Sequence, residues 1–183
     1  MAMQWKNNTT HFGLVAVTLH WLVALVVIGL FGLGLWMTEL DYYDTWYKQG
    51  PWLHKSIGIS LFFVVITRIG WRLITPPPAA LSNHKPWEIR LAHMAHLLIY
   101  VLLITIMLSG YLISTADNRP IEVFDLFSIP ATITSIPKQE DVAGLVHLVL
   151  ASSLIGLAVI HAAAAFKHHF IDKDRTLKRI FGK

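Results

Sequence analysis

Cysteine is absent from the 183 residues of this chain. Its absence excludes disulfides, thiolate metal sites, iron–sulfur clusters and the covalent attachment of a c-type haem through C-x-x-C-H. Charged residues are also scarce, at 14% of the sequence, whereas hydrophobic residues make up 55% and the mean hydropathy is +0.54. A soluble domain of this size carries more charge and fewer apolar residues. The composition therefore indicates a protein that folds in lipid.

Long apolar runs predict four membrane-spanning helices, since about 20 apolar residues cross a bilayer. The predicted spans cover residues 12–37, 51–74, 91–115 and 142–166. The second has the shortest apolar core, and Lys55, Arg68 and Arg72 must extend their charged ends towards the membrane surfaces. The amino end shows neither a cleavage site nor a lipidation motif, which predicts that the first span is retained. We predict an all-α membrane protein, a four-transmembrane-helix bundle that forms one domain over residues 1–183.

Lysine and arginine are divided unevenly between the two sides that these spans define. Eleven of the 15 lie at the termini or in and beside the connection 75–90, and four belong to the opposite side. The positive-inside rule then places both termini in the cytoplasm. With the acidic residues included, the inner side carries +8 and the outer side −4. The positive side suits anionic lipid headgroups, and nothing in the sequence indicates nucleic-acid binding.

The connection over residues 116–140 is long for a loop between two helices, and loops of this length are usually functional. It contains three prolines, so one continuous helix is excluded. Its middle, IEVFDLFSI, is predicted to lie on the membrane as a short amphipathic piece. The loop is also a candidate contact surface for another protein.

Two histidines interrupt the last predicted span. His147 and His161 are 14 residues apart, a separation that on an α-helix returns to within about 40° of the same face after about 21 Å. An imidazole in hydrocarbon is costly unless something holds it. One bound group near each leaflet would account for both residues.

Depth in the membrane pairs these residues with two further histidines. His20 belongs to the inner half together with His161, and His54 to the outer half together with His147. Two planar cofactors, each held between two imidazoles, would account for all four residues. The alternatives are buried histidines that only hydrogen-bond and a transition-metal permease. The permease and a proton pump are both weakened, because the spans contain no Asp, Glu or Cys.

The motifs around these histidines resemble those of the bacterial cytochrome b561 family over nearly the whole chain. They are L-H-W at Leu19–Trp21, L-H-K-S-I-G-I at Leu53–Ile59, H-L-L-I-Y at His96–Tyr100, and H-A-A-A-A-x-x-H-H followed by D-K-D-x-T-L-K-R at His161–Arg179. The resemblance implies a di-haem b protein of the bacterial inner membrane. It also implies that His20 and His161 are the axial ligands of an inner haem b, and that His54 and His147 are those of an outer one.

The function that this resemblance implies is electron transfer between the periplasmic side and the quinone pool. Ubiquinone is then the acceptor or the donor, and superoxide or a periplasmic protein is the other partner, since some family members are superoxide oxidases. The negative outer side weakens the superoxide assignment, because positive potential steers anions. Two alternatives stay open: a haem-bearing membrane anchor subunit of a larger dehydrogenase, and a His-lined transition-metal transporter.

Several further residues near the inner surface are candidate contacts of a quinone or of the haem propionates. They are His96, His168, Arg68 and Arg72. His96 belongs to a family motif at the inner end of the third span, and His168 follows His161 by seven residues, on the same helix face. Arginines pair with propionates or with phospholipid. His11 and His84 are predicted to be ordinary loop residues.

Overall fold

The computed structural model describes residues 4–182 and contains five α-helices and one small sheet in that range. The elements are α1 (Leu14–Met37), α2 (Gln49–Ile74), α3 (Pro86–Ser114), β1 (Ile121–Val123), β2 (Phe127–Ile129), α4 (Gln139–Phe170) and α5 (Thr176–Arg179). Met1, Ala2 and Met3 lie outside the described residues. So does Lys183, which belongs to the cationic side counted above.

Four of the helices, α1 to α4, are long and apolar enough to cross a membrane. Large apolar side chains on them are open to the surroundings: Leu25 is 64% exposed, Leu97 66% and Val159 63%. In water such surfaces would be unfavourable, whereas lipid solvates them. The prediction of an all-α protein with four membrane helices is confirmed at this level.

The helix ends differ from the predicted spans by a few residues. Helix α3 begins at Pro86, five residues before the predicted start, because proline at the first helical position needs no hydrogen-bond partner for its nitrogen. Helix α4 runs on to Phe170, beyond the predicted exit at residue 166. Helix α2, which has the shortest apolar core, is continuous from Gln49 to Ile74.

The segment predicted to lie on the membrane as an amphipathic piece forms an antiparallel hairpin of β1 and β2. Ile121 pairs with Ile129, and Val123 pairs with Phe127. The turn between them has positive φ at Phe124 (50°) and Asp125 (57°), as type I′ turns require to match the twist of the strands. Ile121 and Val123 are 2% and 1% exposed, so one face of the hairpin is buried.

The chain is divided into two compact units. The terminal unit comprises the chain up to Ala24, residues Val64–Tyr100 and the chain from Ile155 onwards. The hairpin unit comprises Leu25–Phe63 and Val101–Leu154. Each of the helices α1 to α4 contributes residues to both units.

Within the hairpin unit, the sheet is fastened to α2 by Ser56. This serine is fully buried, and its Oγ accepts a hydrogen bond from the backbone N–H of Phe124 at 3.1 Å. Gln139, at the start of α4, donates from Nε2 to the carbonyls of Leu112 (2.9 Å) and Ile133 (2.8 Å). These bonds satisfy buried polar groups around the helix ends.

Within the terminal unit, the segment after α4 packs back onto earlier parts of the chain. Trp21 donates from Nε1 to the carbonyl of Ile180 at 3.1 Å, and its ring stacks on Phe181 with centroids 4.9 Å apart. Arg179 is 9% exposed and donates to the carbonyl of Ala79 at 2.9 Å. The tail is thereby held to α1 and to the connection between α2 and α3.

Candidate cofactor sites

Two imidazole rings lie close together in the hairpin unit. His54 lies near the start of α2 and His147 in the first half of α4, with ring centroids 6.2 Å apart and ring planes at 67°. A metal held between two imidazoles has metal–nitrogen bonds of about 2.0 Å on each side. Because the centroid of an imidazole ring lies about 1.1 Å from its ligating nitrogen, two such distances and two metal–nitrogen bonds place the centroids of the pair about 6 Å apart. The observed spacing therefore suits one metal ion ligated by both rings.

A backbone hydrogen bond orients the ring of His147. Its Nδ1 lies 3.0 Å from the carbonyl oxygen of Ile106, and the hydroxyl of Ser109 donates to the same oxygen at 2.8 Å. When the Nδ1–H of a neutral imidazole donates to a carbonyl, the other nitrogen, Nε2, keeps its lone pair for a metal. His54 has a buried Nδ1 without a hydrogen-bond partner among the described residues.

Four glycines lie near this pair of rings, two in contact with a ring and two with open space beside them. A Cβ on Gly34 would stand 3.3 Å from Cε1 of His54, and one on Gly110 would stand 3.2 Å from Cε1 of His147. One turn from the histidines, on the same helix faces, Gly58 and Gly144 have nothing within 4 Å of a Cβ position. A flat, wide, metal-centred group such as a b-type haem fits these features, because it needs two axial nitrogens and thin helix faces beside them.

The terminal unit brings together three more histidines. The imidazole that contacts the His161 ring is that of His96, with centroids 5.1 Å apart at 65°. His20 is close enough to His161 for their charges to interact. His96 also has a buried Nδ1 that lacks a hydrogen-bond partner among the described residues. The predicted inner pair therefore lies in one cluster with a third imidazole.

Arg68 completes this cluster. Its guanidinium lies 2.8 Å from Nδ1 of His20 and 5.6 Å from the ring centre of Tyr100. Because a guanidinium can only donate, Nδ1 of His20 accepts, and the hydrogen of the neutral ring stands on Nε2. If Nε2 of His20 were to hold a metal, the hydrogen of the ring would have to stand on Nδ1, and Arg68 would then need another partner. Arg72 is close enough to His96 for electrostatic interaction.

His168 lies beside an acidic residue and another histidine. Its Nδ1 is 2.7 Å from Oδ2 of Asp172, and its ring centroid is 4.5 Å from that of His84. His84 is no ordinary loop residue, since its Nε2 lies 2.8 Å from Oδ2 of Asp174. The sequence separation of 90 residues hides this pairing.

Comparison with known proteins identifies the family of this chain. Residues 11–183 match the family model described as prokaryotic cytochrome b561. The chain is 49% identical to "Cytochrome b561 homolog 2" of Escherichia coli K12, covering 99% of this chain and 96% of the relative. It is 31% identical to "Probable superoxide oxidase CybB" of Yersinia pestis, covering 91% and 93%. It is 23% identical to "Cytochrome b561 homolog 1" of E. coli K12, covering 69% and 72%. The chain belongs to the prokaryotic cytochrome b561 family.

Proposed function

We propose that this chain is a di-haem b protein of the bacterial inner membrane that moves electrons between the periplasmic side and the quinone pool. Membership of the cytochrome b561 family implies haem b. The observation that carries the proposal is the His54–His147 pair, whose ring centroids lie 6.2 Å apart. Glycines contact both rings, and two further glycines one turn away have open space beside them.

Four histidines hold the two haems in this proposal. His54 and His147 ligate the outer haem in the hairpin unit, and His20 and His161 ligate the inner haem in the terminal unit. The clustering of His20 and His161 with Arg68 supports the second pair. Arg68, once released from His20, is a donor of the right geometry for a haem propionate.

The chemistry follows from the ligand set. A haem with an imidazole on each axial position has no open coordination site, so it supplies outer-sphere one-electron transfer and does not bind oxygen. The protein contributes orientation: the carbonyl of Ile106 fixes the ring of His147, and such a hydrogen bond raises the basicity of the ligating nitrogen. The exposed apolar helix surfaces keep both sites within lipid.

We place the quinone at the terminal unit, beside His96. The Nδ1 of His96 is buried without a hydrogen-bond partner among the described residues, and an imidazole N–H is a suitable donor to a quinone carbonyl. Arg68 and Arg72 supply positive charge nearby, which favours a reduced, anionic quinone. His168 is engaged by Asp172 and is a weaker candidate for this role.

The test is reoxidation of the reduced protein by quinone. Purified protein in lipid nanodiscs is reduced with dithionite and freed of the excess reagent by anaerobic desalting. It is then mixed with a soluble ubiquinone analogue, and the b-haem absorbance is followed. We expect rapid reoxidation in the wild type and a slower rate in His96→Ala at unchanged haem content. His93→Ala, an exposed histidine three residues away, serves as the control. Haems that stay reduced in the presence of quinone would refute the proposal.

One of the relatives favours superoxide as the donor. A protein 31% identical to this chain is named a probable superoxide oxidase. In the balanced reaction, two superoxide anions are oxidised to oxygen, and their two electrons with two protons reduce ubiquinone to ubiquinol. Superoxide consumption by the isolated protein with quinone present would support this donor. A requirement for a stoichiometric protein partner would instead identify an anchor subunit.

A further inference from the structure

A second cluster of metal-binding side chains lies in the terminal unit, apart from the paired imidazoles. His84 precedes α3, His168 lies in the last turn of α4, and Asp172 and Asp174 follow that helix. The side chains of His84, His168 and Asp174 are largely buried, with 16%, 14% and 6% exposure, whereas that of Asp172 is 28% exposed. In the electron-transfer proposal only His168 has a role, as the weaker candidate for the quinone contact.

The ligand atoms of this cluster converge. Those of His84, His168 and Asp174 all lie within 4.8 Å of one another. Oδ2 of Asp174 is 2.8 Å from Nε2 of His84 and 3.7 Å from Nδ1 of His168. Ligands of a tetrahedral ion with bonds of about 2.0 Å stand about 3.3 Å apart. The two observed spacings lie on either side of that value.

One nitrogen in the cluster lacks a proper partner. Nδ1 of His168 is buried and forms no hydrogen bond of acceptable geometry, although Oδ2 of Asp172 lies only 2.7 Å away. The same Oδ2 accepts a hydrogen bond from Nζ of Lys167 at 2.7 Å. Asp172 therefore has a cationic partner already, and the buried nitrogen of His168 is left for an ion.

The alternative is a set of separate hydrogen bonds without metal, in which His84 and His168 each lie beside a carboxylate. The two rings lie with centroids 4.5 Å apart at a tilt of 36°, and both bring a nitrogen close to Oδ2 of Asp174, at 2.8 Å and 3.7 Å. One ion would join both rings to that carboxylate, which separate hydrogen bonds would not do.

We propose that His84, His168 and Asp174 bind a divalent transition-metal ion of the zinc class. Imidazole nitrogens and carboxylate oxygens are ligands that Zn²⁺ accepts in four-coordinate sites. The ion ties the connection before α3 to the segment after α4. It therefore fastens the end of the helix that carries His161 two turns earlier.

Zinc binding to the purified full-length haem-loaded protein tests the proposal. After chelator treatment, Zn²⁺ is titrated by calorimetry, and the zinc K-edge absorption of the complex, which iron does not obscure, reports the ligands. We expect one zinc per chain, a ligand shell with two imidazoles and a higher unfolding temperature with zinc. His84→Ala and Asp174→Asn should each weaken the affinity at least about tenfold.

Two variants serve as controls. His93→Ala removes an exposed histidine near the start of α3 and should bind zinc as the wild type does. Glu88→Gln should also bind normally, although Glu88 forms an overlapping set with His168 and Asp172. Failure of the wild type to bind zinc, an absorption spectrum without imidazole ligands, or loss of binding in Glu88→Gln but not in His84→Ala would each overturn the proposal. The wild-type spectrum decides the matter even if a variant fails to fold.

Discussion

The hydrogen bond at Nδ1 differs between His147 and His20, one from each proposed pair of haem ligands. In the hairpin unit, the carbonyl of Ile106 lies 3.0 Å from Nδ1 of His147, so the opposite ring nitrogen is already prepared for a metal. In the terminal unit, Arg68 donates to Nδ1 of His20 at 2.8 Å and must be exchanged before that ring can ligate iron. We therefore expect the outer haem to bind with fewer side-chain changes than the inner haem.

The proposed ligand assignment predicts that replacing a single histidine removes one haem and leaves the other. His54→Ala and His147→Ala should each remove the outer haem and leave the inner one, because one axial ligand alone holds a noncovalent haem weakly. His20→Ala and His161→Ala should do the converse. The pyridine haemochrome assay should then give half the wild-type haem per polypeptide. Loss of the same haem in His161→Ala and His54→Ala would disprove the pairing.

His96 provides the matched comparison for this experiment, because its ring lies 5.1 Å from that of His161. His96→Ala should retain both haems if His20 is the true partner of His161. Retention of the inner haem in His20→Ala together with its loss in His96→Ala would reassign the ligand.

Among the helices, the glycines beside the imidazoles are the features that the proposed haem depends on. Valine at position 34 or 110 would push a branched side chain into the ring of His54 or His147, where a Cβ alone already stands at 3.3 or 3.2 Å. We expect Gly34→Val and Gly110→Val to lose the outer haem and to keep the inner one, measured as haem per polypeptide. Gly29→Val, where nothing lies within 4 Å of the Cβ position, should keep both. Equal haem content in all three variants would contradict this role of the glycines.

The tail after α4 gives a prediction about stability. Arg179 is 9% exposed, and its guanidinium donates to the carbonyl of Ala79 at 2.9 Å. Burial lowers the pKa of this guanidinium from its ordinary value. Loss of a hydrogen bond to a charged group costs about 2 kcal/mol, so Arg179→Ala should lower the midpoint of thermal unfolding in detergent. Lys178→Ala, at the exposed neighbouring position, should leave it unchanged. An unaltered midpoint in Arg179→Ala would show that the tail contributes nothing to stability.

Secondary structure was predictable where local sequence decides it. Twenty or more apolar residues in succession specify a membrane helix, and even the short apolar core of α2 belongs to a continuous helix. The hairpin was missed because it depends on contacts from elsewhere: Ser56 accepts a hydrogen bond from Phe124, 68 residues away. The left-handed turn at Phe124 and Asp125 also lacks the Asn-Gly or Asp-Gly pair that normally announces it.

The candidate sites show the same limit. Helical periodicity and depth selected His54 and His147 as partners, and the structure brings these rings together. The sequence pattern could not reveal that His96 contacts His161, or that His84 contacts Asp174, which lies 90 residues further along the chain. Those contacts depend on how helix ends and connections fold against each other, which no local pattern specifies.

For the whole molecule, the charge distribution predicts sidedness. Eleven of the 15 lysines and arginines belong to the side that carries the termini, so both termini should be cytoplasmic. Because the chain has no cysteine, single cysteines report topology without background. An impermeant maleimide added to intact spheroplasts should label Lys48→Cys but label Lys178→Cys only after permeabilisation. The opposite labelling would invert the membrane orientation and exchange the inner and outer haems.

The most direct test of the central claim is the amount of haem per polypeptide in the purified wild-type protein, read from a dithionite-reduced minus oxidised spectrum. Two pairs of imidazoles predict two b-type haems per chain, both low-spin because both axial positions are filled. A folded protein that binds no haem, or only one haem per chain, would contradict the account.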